Sequence, residues 1–158
     1  MNRIQYLLLI FLLFSNCENN IEDRIPAFQA YVNGAQFWEA SSFAITTDAS
    51  GAIISGNNLS GSILMHIPSL EVGTNDFGSL EISNAVYQDT TYYSTSFNGI
   101  GSIAYLSDGE ITIEEFNSEE NTITGTFNFD AYDETGEYNI NISQGVFYRL
   151  PISVDSEN

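Results

Sequence analysis

Apolar and polar residues alternate with a period of two through most of the chain after residue 26. The clearest example runs from Ile123 to Asp130, where glycine and apolar residues hold the odd positions and Thr, Asn and Asp hold the even ones. A period of two with a polar second face is typical of β-strands buried on one side. The pattern therefore predicts an all-β fold, either an antiparallel β-sandwich or a partly open β-barrel of about 8–11 strands.

Residue pairs that end in glycine punctuate this alternation and mark turns: Asn33-Gly34, Asn98-Gly99, Asp108-Gly109 and Thr135-Gly136. Glycine after Asn or Asp accepts the positive φ of tight hairpin turns. The last third of the domain is the clearest, with strands predicted near 109–116, 121–131 and 137–149. We expect them to form a meander with joints at 117–121 and 133–136.

The same alternation predicts the core. We expect Gly125 to lie where a neighbouring group approaches closely, and Tyr138 to share a face with Ile140 and Ile142. The residues predicted to be buried are Val32, Trp38, Phe127, Phe129, Ile140 and Ile142.

The first sixteen residues resemble a secretory leader. Arg3 supplies a positive charge, and Tyr6 to Phe14 form an unbroken apolar run, which is shorter than the ~20 residues a spanning helix needs. Cys17, the only cysteine of the chain, follows directly. We predict a lipoprotein signal peptide over 1–16, acylation of Cys17, a polar tether over 17–26, one domain over 27–151 and a flexible tail over 152–158.

A different leader is the alternative. Asn16 stands where a lipoprotein signal usually has Gly, Ala or Ser, and an ordinary secretory signal would leave Cys17 as a free thiol. An unpaired exposed thiol is a liability in a secreted protein, which favours acylation. Acyl chains on Cys17 would anchor the protein to a membrane, since each buried methylene contributes about 0.8 kcal/mol.

The charge of the chain excludes one class of partner. After residue 16 the chain retains two arginines and all 21 acidic residues, and it has no lysine, which gives a net charge of −19. Such a surface repels phosphate backbones, so nucleic acid is not an expected partner. Cationic partners and divalent ions are compatible with it, and solubility alone is a sufficient reason for the charge.

Residues for catalysis are scarce, and we expect neither an enzyme nor a cofactor. His66 is the only histidine and has no visible partner for a nucleophilic triad or a zinc site. Acidic residues are abundant around predicted hairpin tips, where Asp130, Asp133 and Glu134 form a candidate weak calcium site. Paired carboxylates could also serve a glycoside hydrolase, but hairpin tips are not clefts.

Tyrosines supply the other candidate ligand contacts. Tyr87, Tyr92 and Tyr93 fall in a segment with poor alternation, and exposed rings there would stack on sugars. Aromatic residues of all-β domains more often pack in the core or across strands, so both interpretations stay open.

Several short motifs carry a resemblance to a known family. They are Val32-Asn33-Gly34, the run from Ile123 through Gly125 and Thr126 to Phe127, and Gly145-Val146-Phe147. Over Phe28 to Leu150 the chain resembles a family of Bacteroidota lipoproteins with an uncharacterised all-β domain. The resemblance implies a fold and an outer-membrane location, and it implies no reaction.

Two further expectations follow from that resemblance. Acidic residues soon after the acylated cysteine resemble a surface-export signal of such bacteria, and Glu18, Glu22 and Asp23 fit it, which favours the cell surface over the periplasm. Thr90, within Asp89-Thr90-Thr91, matches their short O-glycosylation motif.

These observations together predict a lipid-anchored cell-envelope protein that acts as a non-catalytic binding or accessory module for a glycan or a protein partner. A structural envelope lipoprotein without a small ligand is the first alternative. A carboxylate-dependent glycoside hydrolase is the least favoured one.

Overall fold

The computed structural model describes residues 27–101 and 105–153, and every regular element within them is a β-strand. Nothing in this described part is a helix long and apolar enough to cross a membrane. The predicted signal peptide, Cys17 and the tether lie outside the described residues. The strands are β1 (Ala27–Val32), β2 (Gln36–Glu39), β3 (Ser42–Asp48), β4 (Gly51–Asn58), β5 (Gly61–Ile67), β6 (Gly73–Gly78), β7 (Asn84–Gln88), β8 (Tyr92–Ser94), β9 (Asp108–Asn117), β10 (Thr122–Asp133) and β11 (Asn139–Pro151).

The strands form one strongly curled antiparallel sheet, a half-barrel, which confirms the prediction of an all-β, partly open barrel. The main path runs β2-β1-β11-β10-β8-β7-β5-β4-β3. The sheet forks at β10, because one edge of that strand pairs with β9 over residues 122–130 and then with β8 at residues 132 and 133. β6 pairs with the far edge of β9. The predicted meander is confirmed as β9-β10-β11.

Bulges in β11 contribute to the curl of the sheet. Phe127 pairs with Gly145 and Phe129 pairs with Ile142, so two steps along β10 face three steps along β11. Gln144 lies in the extra step and adopts a left-handed backbone with φ of 50°. A β-bulge of this kind bends its strand and increases the local twist. Arg149, at φ of 49°, belongs to a second extra step opposite Ile123 to Gly125.

The core is built on glycines that make room for aromatic rings. Gly125 pairs with Phe147 across β10 and β11, and Phe127 pairs with Gly145 two steps further along. A Cβ atom on either glycine would collide with the ring of its partner and with a backbone oxygen. The two rings stack at a centroid distance of 6.4 Å. The close approach predicted for Gly125 is confirmed, and it explains why glycine and phenylalanine recur two residues apart on both strands.

All six residues predicted to be buried are at most 5% exposed, so that prediction is confirmed. The expectation that Tyr138 faces the core together with Ile140 and Ile142 is wrong, since its side chain is 64% exposed. β11 begins at Asn139, one residue after Tyr138, and the backbone N–H of Tyr138 donates to the carboxylate of Asp133 in the turn.

The predicted turns are confirmed in part. Asn33, Gly34 and Gly136 adopt positive φ in turns. The turn predicted at Asp108-Gly109 is wrong, because both residues belong to β9. Gly109 is needed there for space, as a Cβ atom would collide with the backbone of Asn128 and Phe129 on β10.

The end of the domain extends past residue 151. Ile152 and Ser153 belong to the predicted flexible tail, yet both are hydrogen-bonded to the body. The backbone N–H of Ile152 donates to the carbonyl oxygen of Asn121 at 2.9 Å, and that of Ser153 donates to Ile45 on β3 at 3.0 Å.

Candidate functional site

Three connections of the sheet meet at one end of the half-barrel. They join β6 to β7, β8 to β9 and β10 to β11, and we call their described residues 79–83, 95–101, 105–107 and 134–138 the loop end. The side-chain amide of Asn98 donates to the hydroxyl of Ser79 at 2.8 Å and links the first two connections. The backbone N–H of Ile100 donates to the carbonyl oxygen of Gly136 at 3.1 Å and links the second to the third.

Buried hydroxyl groups hold the base of the loop end. Ser107 donates to the carbonyl oxygen of Thr95, and the Thr95 hydroxyl accepts the backbone N–H of Ala85 on β7 at 2.9 Å. The backbone N–H of Ser107 also donates to the amide oxygen of Asn98 at 3.0 Å. Because Thr95 and Ser107 are buried, losing these bonds would leave polar groups without partners. The tips of the connections are thus mounted on an ordered base.

The tips carry exposed apolar side chains. Six of the eleven large apolar side chains that are exposed within the described residues belong to the loop end, and each of the six is at least 60% exposed. A single exposed apolar residue is normal, whereas a concentration of them at one end is a candidate interaction surface. The six residues are Leu80, Ile82, Ile100, Tyr105, Leu106 and Tyr138.

An open groove of about 530 Å³ lies beside these tips, lined by residues 76–81 and 106–110, where the end of β6 pairs with the start of β9, and by Asn128 on β10. Its apolar rim is formed by Leu80 and Leu106, and its acidic wall by Asp76, Glu81, Asp108 and Glu110.

The carboxylates of the acidic wall are arranged by strand register. Asp76 on β6 is directly opposite Glu110 on β9, and Asp108 is opposite Asp130 on β10. Like charges at directly opposed positions destabilise a sheet. Within the described residues the only Lys or Arg is Arg149, whose guanidinium pairs with Glu120 beside the β9–β10 hairpin, at the other end of β9. The groove therefore combines an apolar rim with a negative wall that no Lys or Arg of the described residues offsets.

The candidate calcium site at Asp130, Asp133 and Glu134 is not assembled. Asp130 and Asp133 are three residues apart on β10, so their side chains leave opposite faces of the strand. Among residues 27–101 and 105–153, no three His, Cys, Asp or Glu side chains are grouped to hold a metal ion.

The two aspartates are instead engaged within the protein. The side-chain amide of Asn141 donates to Asp130 at 2.7 Å. The hydroxyl of Thr135 donates to Asp133 at 2.6 Å and, with backbone N–H groups, lowers the pKa of that carboxyl below its usual value. Both carboxylates therefore stabilise the β10–β11 region.

The three candidate tyrosines differ in accessibility. Tyr87 is 2% exposed, so it cannot stack on a ligand, and burial raises the pKa of its phenol. The hydroxyl donates to the carbonyl oxygen of Ser60. Tyr93 is partly buried against the core. Tyr92 is 48% exposed and meets Phe97 edge to face, so it alone of the three still presents a large part of its ring. Tyr87 is buried because β7 is an interior strand between β5 and β8.

Thr90 is exposed in the turn between β7 and β8. The carboxylate of Asp89 accepts the backbone N–H of Thr91 at 2.8 Å and shapes that turn. O-glycosylation at Thr90 stays a prediction. A second groove of about 440 Å³ lies beside it, lined by amides and hydroxyls of residues 57–62 and 88–90.

His66 lies on β5, partly buried, opposite Ile53 on β4 and Asn84 on β7. Neither neighbour is a nucleophile or a base. The expectation that the protein is not an enzyme stays a prediction.

Sequence reasoning missed the loop end, although a local signal was present. Leu80 and Ile82 lie in Gly-Ser-Leu-Glu-Ile-Ser-Asn, and Ile100 lies between two glycines. Apolar residues inside segments rich in turn formers and without sustained alternation are candidates for exposed contacts.

Comparison with known proteins identifies the family and nothing beyond it. Residues 24–151 match the family described as a domain of unknown function, DUF6252. No curated protein and no solved structure is significantly similar to the chain. The match covers most of the sequence, so the chain belongs to this family.

Proposed function

We propose that this member of a family of unknown function is a lipid-anchored protein of the cell envelope that binds a protein partner through its loop end. Acylated Cys17 would hold it in the outer membrane, with the domain on the cell surface. It would act as an accessory module and not as a catalyst.

One observation carries the binding role, namely the concentration of exposed apolar side chains at the loop end. The Asn98–Ser79 and Ile100–Gly136 hydrogen bonds fix the connections that carry them. Exposed apolar groups on an ordered base need little reorganisation to bind, which favours affinity. A purely structural envelope protein, the first alternative, has no need of such a surface.

A glycan is the second candidate partner, supported by the groove of residues 57–62 and 88–90. Amides and hydroxyls line it, with Leu59 fully exposed at its edge. Tyr92 is paired with Gln88 beside it and could supply a stacking face. Sugar sites combine such polar groups with an aromatic ring, so this groove is where a glycan would bind.

Glycoside hydrolysis gains one observation, the pairing of Asp76 with Glu110 in the first groove. A general acid in such an enzyme needs a raised pKa, which burial usually provides. Both carboxylates are exposed, so the site lacks that environment. Hydrolase activity lost in Asp76→Asn and Glu110→Gln would nevertheless establish it.

Site-specific cross-linking in cells tests the binding role. A photoreactive amino acid replaces Leu106 at the loop end in one strain and Leu59, a matched exposed leucine, in another. We expect a discrete protein adduct from position 106 and none from position 59. Adducts from neither position would overturn the binding role, and a protease-resistant adduct from position 59 alone would favour the glycan.

Metabolic labelling with a fatty-acid analogue tests the anchor. The wild-type chain should be labelled and found in the membrane fraction, whereas Cys17→Ser should be unlabelled and soluble. A wild-type chain that carries no label contradicts the lipoprotein assignment. Protease treatment of intact cells then reports whether the domain faces outward.

A further inference from the structure

We infer that the groove at the end of β6 and the start of β9 receives an extended polypeptide segment in which basic and aliphatic residues alternate. The inference rests on the proposed function and specifies the partner of the same surface. It follows from the charge of the acidic wall, from the apolar rim beside it and from the way an extended chain presents its side chains.

The acidic wall selects a cationic occupant. Asp76, Glu81, Asp108 and Glu110 line one groove, and Arg149 is engaged with Glu120 near the β9–β10 hairpin. Complementary charge steers a partner to its site and rejects partners of like charge. A second copy of this chain would bring a net charge of −18 and the same acidic wall, so self-association through this groove is unfavourable.

The apolar rim selects an occupant that is not merely cationic. Leu80 is 93% exposed and Leu106 63% exposed, and both line the groove beside the carboxylates. A small cation or a polyamine would leave these side chains in water. A peptide with aliphatic side chains covers them, and lysine adds the apolar stem that carries its charge.

An extended peptide supplies both kinds of side chain over a short length. Successive side chains of a strand point to opposite sides, so a Lys–Leu repeat directs its ammonium groups to one side and its leucines to the other. The volume of about 530 Å³ lies within the usual range of ligand grooves and holds only a few side chains. The groove therefore binds only a short segment of the partner chain.

Fluorescence anisotropy with the full-length chain in detergent tests the inference. Three labelled peptides are compared at equal length and moderate ionic strength: a Lys–Leu repeat, a Lys–Ser repeat that keeps the charge, and a Gln–Leu repeat that keeps the apolar residues. We expect the Lys–Leu repeat to bind about tenfold more tightly than either of the others. Equal binding of the Lys–Leu and Lys–Ser repeats would overturn the inference, because it reports attraction by net charge alone.

Matched variants locate the site. Asp76→Asn with Asp108→Asn removes two charges from the acidic wall, and Glu114→Gln with Glu119→Gln removes two exposed charges near the other end of β9. We expect the first pair to weaken binding about tenfold and the second less than twofold. Leu106→Ser should likewise weaken binding, and Leu59→Ser should not. Equal effects of the two charge pairs would overturn the inference.

The outcomes separate this inference from the proposed function. A cross-link at position 106 in cells, without selective binding of the Lys–Leu repeat, overturns the inference and leaves the binding role standing. The inference would also be overturned, in favour of a glycan, if the chain bound a neutral oligosaccharide such as maltohexaose and none of the three peptides, and if Leu106→Ser abolished the oligosaccharide binding. All the substituted residues are exposed, and circular dichroism confirms that the variants fold.

Discussion

Substitutions at Phe127 and Gly145 test the packing of the half-barrel core. Phe127 is 2% exposed and meets Phe28 edge to face at 5.4 Å and Phe147 in a stack at 6.4 Å. Phe127→Ala should therefore lower the free energy of unfolding by about 3–5 kcal/mol, the usual loss for a buried aromatic ring. Gly145→Ala should lower it by about 1–3 kcal/mol, because a Cβ atom there collides with the Phe127 ring.

The two substitutions should not be additive. With the ring gone, the new methyl group enters part of the space that the ring occupied, so the double variant should be about 1–2 kcal/mol more stable than the sum of the single losses predicts. The rescue is partial, because the methyl group also meets the backbone oxygen of Phe127. Urea unfolding at fixed salt measures the free energy of unfolding of the wild type, the two single variants and the double variant. Phe127→Leu replaces Phe127→Ala if the latter is largely unfolded. Additive losses, or a loss below about 1 kcal/mol for Phe127→Ala, would refute the interlocked packing.

Three further predictions concern the bulge, a turn and the net charge. Gln144→Gly should stabilise the fold by about 0.5–1 kcal/mol, because glycine accepts the left-handed backbone of this position. Ser143→Gly should give no such gain, and urea unfolding measures the stability of both variants. Thr135→Ala should lower the unfolding midpoint more at neutral pH than below about pH 4, while Thr135→Ser should follow the wild type. The Thr135 hydrogen bond lowers the pKa of Asp133 in the folded state, so the ionised carboxylate stabilises the fold at pH values above 3.8, the usual pKa. That stabilisation is lost as the pH falls through the lower folded-state pKa. Salt should raise the melting temperature by damping repulsion among the carboxylates, and an unchanged or falling value would contradict the role of net charge.

The sequence predicts strands well where a single strand carries its own pattern. The meander β9-β10-β11 is readable because alternation from Ile111 to Ile142 is local, and short joints require adjacent strands to be antiparallel. The fork at β10 and the bulge at Gln144 are not readable, because they depend on which strands meet across the sheet. For Tyr87 the pattern leaves core packing and ligand stacking both open, and its burial in the folded sheet decides for core packing.

The candidate site shows the same limit at longer range. The loop end gathers segments near residues 80, 100 and 136, and only the folded topology brings them together. The candidate calcium site depended on where β10 ends. The pattern ends that strand near residue 131 and puts Asp133 in the turn, whereas β10 extends through Asp133, and three residues along a strand place two side chains on opposite faces. Closeness in sequence was a poor guide to closeness in space there.

Mapping backbone amide shifts of the isotopically labelled chain on addition of the Lys–Leu repeat tests the central claim most directly. We predict that the largest shifts fall at Leu80, Glu81, Leu106 and Glu110 and that residues 114–121 change little. Shifts spread evenly over the acidic surface, or concentrated at residues 57–62 and 88–90, would contradict the assignment of binding to the loop end.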